Sequence, residues 1–215
     1  KNKSIMCWTI ETSLKSKLIK KTFFSSDSLK YIELANKYQS IQSIKRSKKL
    51  STNYSQDYEV IKNFLDFLKK KKIFPEIIVH LRPTTPLRDH ELIDKAIKFF
   101  VNNKKYTSLR SVHKMSETAF KSLRITKTNI LKPIINKYKN LDKVNLSRQL
   151  YPVTFQANGY IDIYRTNNIL KNKTLLGDKS YPFITDFQVE LDTLDDLNYL
   201  NFKINKKKNV KKKIF

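Results

Sequence analysis

Nine consecutive residues, Leu81-Arg82-Pro83-Thr84-Thr85-Pro86-Leu87-Arg88-Asp89, gather the groups best able to hold an anion. Two prolines stiffen the backbone, two threonines offer hydroxyls, and two arginines offer planar forks of N–H donors. The segment follows Ile77-Ile78-Val79, a short apolar run that reads as a buried strand. It leads into residues 89–101, which read as a helix with Asp89 at its N-cap. A basic, hydroxyl-bearing loop at the end of a strand is where an open α/β sheet binds anionic ligands. Taken alone, the same residues also suit a plain strand-to-helix connection.

Other reactive side chains are thinly spread. Cys7 is the sole cysteine and sits in an apolar run. It predicts a core thiol and excludes an intramolecular disulfide and a cysteine-based metal centre. The three histidines, His80, His90 and His113, have no metal-ligand or triad spacing. His80 ends an apolar strand and predicts a core imidazole, whereas His90 and His113 predict surface or loop positions. No general base stands out.

The chain has 215 residues and a formal net charge of +25, a balance common among nucleic-acid binders. The excess is almost all lysine; the arginines are Arg46, Arg82, Arg88, Arg110, Arg124, Arg148 and Arg165. Base and phosphate readers lean on arginine and on aromatic rings among the basic runs, and such interleaving is sparse here. The charge therefore predicts a solvated surface and no specific nucleic-acid partner. No apolar run reaches membrane-spanning length and no signal peptide opens the chain, so the expectation is a soluble cytoplasmic protein without a membrane partner. Gly159 and Gly177 are the only glycines, few for a domain that cradles phosphates in a glycine-rich turn. Either the ligand is not a nucleotide or the phosphate loop is missing. The start at Lys1, almost in mid-element, points to an N-terminal truncation.

The elements that must position these groups follow from periodicity. Residues 4–16 read as a helix with Ile5, Trp8, Thr9 and Leu14 inward, and residues 22–25 as a strand leading to a helix with Leu29, Ile32 and Ala35 on one face. Ile41–Ile44 predicts another strand. Residues 57–70 give the clearest helix, with Val60, Ile61, Phe64, Leu65 and Leu68 in helical register. Strands are expected at 107–112, 160–164, 183–184 and 189–191, and residues 113–140 read as irregular and basic, anchored by Phe120 and Leu123. Thr193 with Asp196 three residues on is a capping box for a last helix. Alternating strands and helices in the first half predict a parallel-rich sheet with helices on both faces. The organisation reads as one domain, 1–204, and a Lys-rich tail, 205–215.

In this order along nearly the whole chain, the sequence resembles the acylneuraminate cytidylyltransferases, the CMP-sialic acid synthetase family. Residues 2–11 resemble the family's segment just after its nucleotide loop. Ser25-Ser26-Asp27-Ser28 resembles its strand-end Ser-Thr-Asp motif, and residues 46–53 its Arg-Pro stretch. Residues 81–88 resemble its Leu-Gln-Pro-Thr-Ser-Pro-Leu-Arg motif. Arg148-Gln149-Leu150-Tyr151-Pro152 with Asn158-Gly159 resembles its Arg-Gln and Pro-Asn-Gly stretch. Glu190-Leu191-Asp192-Thr193 with Asp195-Asp196-Leu197 resembles its Asp-Ile-Asp-Thr-x-x-Asp-Leu motif. The resemblance implies a three-layer α/β/α, Rossmann-like nucleotidyltransferase fold with a mostly parallel mixed sheet. It implies transfer of CMP from CTP to the anomeric hydroxyl of a nine-carbon sugar acid, with Mg²⁺ required and pyrophosphate released.

The site residues follow from the same resemblance. Glu190 and Asp192, two apart on a strand, would share one face and hold Mg²⁺. Arg148 would grip the sugar carboxylate and share the catalytic role with Asp192. Gln149, Asn158, Thr85 and Asp162 are the other sugar-contact candidates, and Arg46, Ser26, Asp27, Arg82, Thr84 and Asn2 the nucleotide-contact candidates. The family implies a homodimer, with residues 113–145 as the candidate arm. The departures lie in known places: Arg82 stands where Gln is commoner, Glu190 where the first Asp stands, and Asp162 where a Tyr often faces the sugar. Lys1 and Asn2 match the last two residues of the family's opening phosphate-binding motif, so the expectation is a sheet lacking a central strand. The alternatives are a catalytically inactive truncated homologue or a basic nucleic-acid-binding module.

Overall fold

The computed structural model describes residues 3–135 and 140–212, with side chains through residue 205. Its helices are α1 (Ile5–Lys15), α2 (Leu29–Asn36), α3 (Asp57–Lys70), α4 (His90–Asn102), α5 (Thr166–Asn172) and α6 (Leu194–Lys212). Its strands are β1 (Thr22–Ser26), β2 (Ile41–Lys45), β3 (Ile77–His80), β4 (Ser108–Lys114), β5 (Leu123–Ile125), β6 (Leu131–Pro133), β7 (Phe155–Arg165) and β8 (Ser180–Ile184).

The main sheet has the order β3-β7-β4-β8. Strand β7 runs antiparallel to both β3 and β4, and β4 runs parallel to β8. Three strands thus share a direction and one long strand opposes them inside the sheet. The fold is α/β with a mixed sheet. Strands β1 and β2 form a separate parallel pair, and β5 and β6 a small antiparallel hairpin within the segment expected to be irregular.

The period-two alternation of the strands sorts their side chains to two faces. On one face Ile93, Ala96, Ile97 and Phe100 of α4 pack on Leu109, Ile161, Ile163 and Phe183. On the other, Ile61 and Leu65 of α3 and Ile169 of α5 pack on Ile78 and Tyr164. These are the three layers. A third cluster joins Met6, Cys7 and Ile10 of α1 to Ala35 of α2, so Cys7 is a core thiol.

Helix α3 shows how the chain ends a helix without glycine. Its first turn carries Asp57 and Glu59 and its last turn Lys69 and Lys70, matching the helix dipole. Beyond it Lys72 adopts φ 56°, and the amides of Lys72 and Ile73 return to the carbonyls of Lys69 and Leu68 at 3.0 and 2.9 Å. That is the Schellman closure, with lysine in the position glycine usually takes.

Several expectations change. The buried face of α1 is Met6, Cys7, Thr9, Ile10 and Ser13, while Trp8 and Leu14 are exposed. The run is apolar almost all round, so periodicity alone could not orient it, and Ser13 is buried by donating to the Ile10 carbonyl at 2.7 Å. Residues 185–193 form no strand. His113 is buried on β4, edge-to-face against Phe187, rather than on the surface. Leu123 is exposed instead of anchoring. Helix α6 runs through to Lys212. No described helix is long and apolar enough to cross a membrane.

Candidate active site

The loop after β3 is built around Arg88. Its Nε–H donates to the Tyr160 carbonyl at 2.5 Å. One terminal nitrogen donates to Thr9 Oγ1 at 3.0 Å and to the Thr85 carbonyl. The other donates to the carbonyls of Arg82 and Gly159 at 2.7 and 2.8 Å. Burial pulls this guanidinium down to about 10, so it stays charged at neutral pH. The loop then enters α4, where Asp89 caps the helix by accepting from the Glu91 amide at 2.9 Å.

On its other side the loop holds the segment after β8. The Leu191 amide donates to the Thr84 carbonyl at 2.8 Å, and Thr84 Oγ1 donates to Glu190 Oε1 at 3.3 Å. Gly159, at φ +62°, lies close against Thr85 and Glu190. A β-carbon there would stand 2.8 Å from Thr85 Oγ1 and 3.1 Å from Glu190 Oε1. Thr85 is buried, and its hydroxyl has no hydrogen-bond partner. Thr84, Thr85, Gly159 and Glu190 therefore converge beyond the carboxyl end of β3.

A second group lies on the α3 side of the sheet. Asp162 is 1% exposed and meets Arg82 at 2.7 Å, Arg110 at 3.3 Å and the Tyr164 hydroxyl at 3.2 Å. Arg82 also pairs with Asp57 at 2.5 Å. Burial works against the charge on Arg82, but Asp162 and Asp57 more than offset it and raise its pKa. Burial likewise opposes the charge on Asp57, and Arg82 overrides it, lowering that carboxyl. His80 beside them is pushed down to about 4 by burial, with the Arg82 charge acting in the same direction. The two family departures at 82 and 162 are thus each other's partners. An open cleft of about 430 Å³ lies beside this network, lined in part by Asp57, Arg110, Tyr164 and Lys173; Thr84, Thr85 and Glu190 do not line it.

The remaining candidates sit elsewhere. Asn158 is buried and occupied, donating to Thr185 Oγ1 at 2.7 Å and accepting from the Tyr160 amide at 3.3 Å. Ser26, Asp27 and Arg46 gather at the end of the β1–β2 pair, where the Arg46 amide donates to the Ser26 carbonyl at 2.8 Å. Asp27 is exposed and does not cap α2, whose N-cap is Ser28. Arg148 and Gln149 are exposed on a 3-10 turn, and Arg148 donates to the Ser116 carbonyl. Asn2 lies outside the described residues.

Glu190 is half-buried and Asp192 is exposed, on a loop rather than the expected strand. The Asp192 and Thr193 amides both donate to Asp196, which completes the capping box with Thr193 Oγ1. Among the described residues no group of three or more His, Cys, Asp or Glu side chains could cage a metal. Two oxygen donors two residues apart suit a cation that keeps its waters and takes its other oxygens from a phosphate.

A cytidylyltransferase family model matches residues 1–209. The chain belongs to the cytidylyltransferase family. It is 27% identical over 98% of its length to an N-acylneuraminate cytidylyltransferase of Escherichia coli O18:K1:H7, and spans 48% of that protein. It is 25% identical, again over 98%, to the post-translational flagellin modification protein B of Campylobacter coli, spanning 88% of it. Among solved structures, a CMP:2-keto-3-deoxy-manno-octonic acid synthetase in complex with CTP shares the fold at a TM-score of 0.65. That likeness covers 94% of this chain and 88% of the other, at 9% identity.

Sequence reasoning missed Arg88, Arg110 and Asp57 as members of these groups. The signal for Arg110 and Asp57 was Asp162 itself: a carboxylate inside the run Tyr160-Ile161-Asp162-Ile163-Tyr164 requires cationic partners. Nothing local marked Arg88 as a backbone clamp.

Proposed function

We propose that the chain transfers CMP from CTP to the anomeric hydroxyl of a nine-carbon, sialic-acid-like sugar acid. The sugar hydroxyl gives its proton to solvent water, its oxygen bonds to the α-phosphorus, the bond from that phosphorus to the bridging oxygen breaks, and pyrophosphate leaves. The observation that carries the reading is the convergence of Glu190, Thr84 and Gly159 beyond β3, in a chain matched to the family along residues 1–209. Glu190 and Asp192 would hold Mg²⁺, which when bound supplies charge neutralisation at the phosphates. Arg148 would meet the sugar carboxylate with its two-donor fork. Ser26, Asp27 and Arg46 would contact the nucleotide. The hairpin β5–β6, with Ile125 and Leu131 exposed, would serve a homodimer.

The test is pyrophosphate release from CTP with a panel of nonulosonic acids, with and without Mg²⁺, and with ATP, GTP and UTP as controls. Release with CTP and one sugar acid, abolished by chelation and reduced at least ~100-fold by Asp192→Asn, is the expected result. No release with any sugar acid, together with no CTP binding, would overturn the reading.

A further inference from the structure

Arg88 has five N–H donors, and each is matched to an oxygen: the carbonyls of Arg82, Thr85, Gly159 and Tyr160, and the hydroxyl of Thr9. None of these acceptors is a carboxylate. The side chain therefore has no donor left for an anionic ligand, although its loop looks built to grip one. What it joins is three parts of the chain: α1 through Thr9, the loop through residues 82 and 85, and β7 through residues 159 and 160. The loop it holds in turn holds the segment of Glu190, through Thr84 Oγ1 on the Glu190 carboxylate and through the Leu191 amide on the Thr84 carbonyl.

We propose that Arg88 is a positioning residue of the cytidylyltransfer site: it locks the loop at residues 82–88 against Gly159 and Tyr160, and so sets where Thr84 and Glu190 stand. The proposal rests on the reaction proposed above. It assigns Arg88 no contact with substrate. A guanidinium has five N–H donors on a rigid fork; lysine, with three donors, leaves at least two of the five acceptors unmatched. Charge alone is therefore insufficient at this position. The neighbouring Arg82 differs in kind, since its partners are the carboxylates of Asp57 and Asp162.

Arg88→Lys and Arg88→Met separate geometry from charge. Two measurements are made on the full chain: steady-state pyrophosphate release with CTP and the preferred sugar acid, and amide hydrogen exchange at Leu191 against the global stability from urea unfolding. The expected result is a fall in kcat of at least ~10-fold in both variants, with KM for CTP changed less than ~3-fold. Exchange at Leu191 quickens in both by more than any change in global stability accounts for. A folded variant that keeps its kcat, or that keeps Leu191 protected, overturns the proposal. A KM that rises in Arg88→Met alone makes Arg88 a charge contact and overturns it too. If neither variant folds, Arg88 serves global stability and the positioning role is rejected. If the parent chain releases no pyrophosphate, the proposed reaction fails, and the exchange measurement still decides whether Arg88 holds the loop.

Discussion

Gly159 carries the tightest constraint of any single residue near the site. Its φ of +62° strains any side chain, and a β-carbon would press on Thr85 Oγ1 at 2.8 Å and Glu190 Oε1 at 3.1 Å. The threonine is buried. Gly159→Ala is expected to cost roughly 1–3 kcal/mol of stability in urea unfolding. It is also expected to lower kcat/KM at least ~10-fold, because the displaced groups are Thr85 and Glu190. A variant with parental kcat/KM would show that this approach is irrelevant to activity. Asp162 is a different kind of residue. The family resemblance would put it against a sugar, yet its carboxylate is enclosed by Arg82, Arg110 and Tyr164.

Among the elements, β7 decides most. It pairs with β3 on one edge and β4 on the other, against the direction of both. Ile161 and Ile163 face α4, Asp162 and Tyr164 face α3, and Gly159 stands at its site end. Truncating a fully buried isoleucine there removes core packing from the strand at the centre of the sheet. Ile161→Ala is expected to lose about 2–5 kcal/mol, read as a lower urea midpoint with the slope unchanged. Loss under about 1 kcal/mol would mean that the layer beside α4 closes the cavity at little cost. The hairpin β5–β6 is different, since Ile125 is 71% exposed and Leu131 is exposed beside it.

At the scale of the whole molecule, acid is the sensitive direction. His80 stays neutral in the folded chain down to about pH 4, whereas an unfolded histidine takes its proton near 6.5. Between those values the unfolded state binds more protons, so stability rises with pH and falls as pH drops through that window. The loss is at most about 3 kcal/mol, reduced by the surface exposure that His80 retains. Asp57, its carboxyl lowered by Arg82, adds stability that is present above the ordinary carboxylate range and is lost as pH falls through its own value. Urea midpoints from pH 7 to pH 4 should therefore fall, and His80→Asn should flatten the slope above pH 4. An unchanged slope in the variant would place the acid sensitivity elsewhere.

Much of the fold was legible because it depends on local pattern. The 3.6-residue period of α3, the Asp89 cap, the Thr193–Asp196 box and the apolar run of β3 are all properties of neighbouring residues. The order of motifs along the chain was enough to mark the cytidylyltransferase family. Strand direction was not legible: alternation in β7 reads the same whether its neighbours run parallel or antiparallel. Nor was the buried face of α1, whose sequence is apolar on nearly every side. The site divides in the same way. The sequence by itself determined which loop would carry Thr84 and Thr85 and that Glu190 and Asp192 stand two residues apart. Tertiary structure alone decided that Arg88 would reach the carbonyls of Gly159 and Tyr160 and that Asp162 would pair with Arg82, because those contacts join residues more than seventy positions apart.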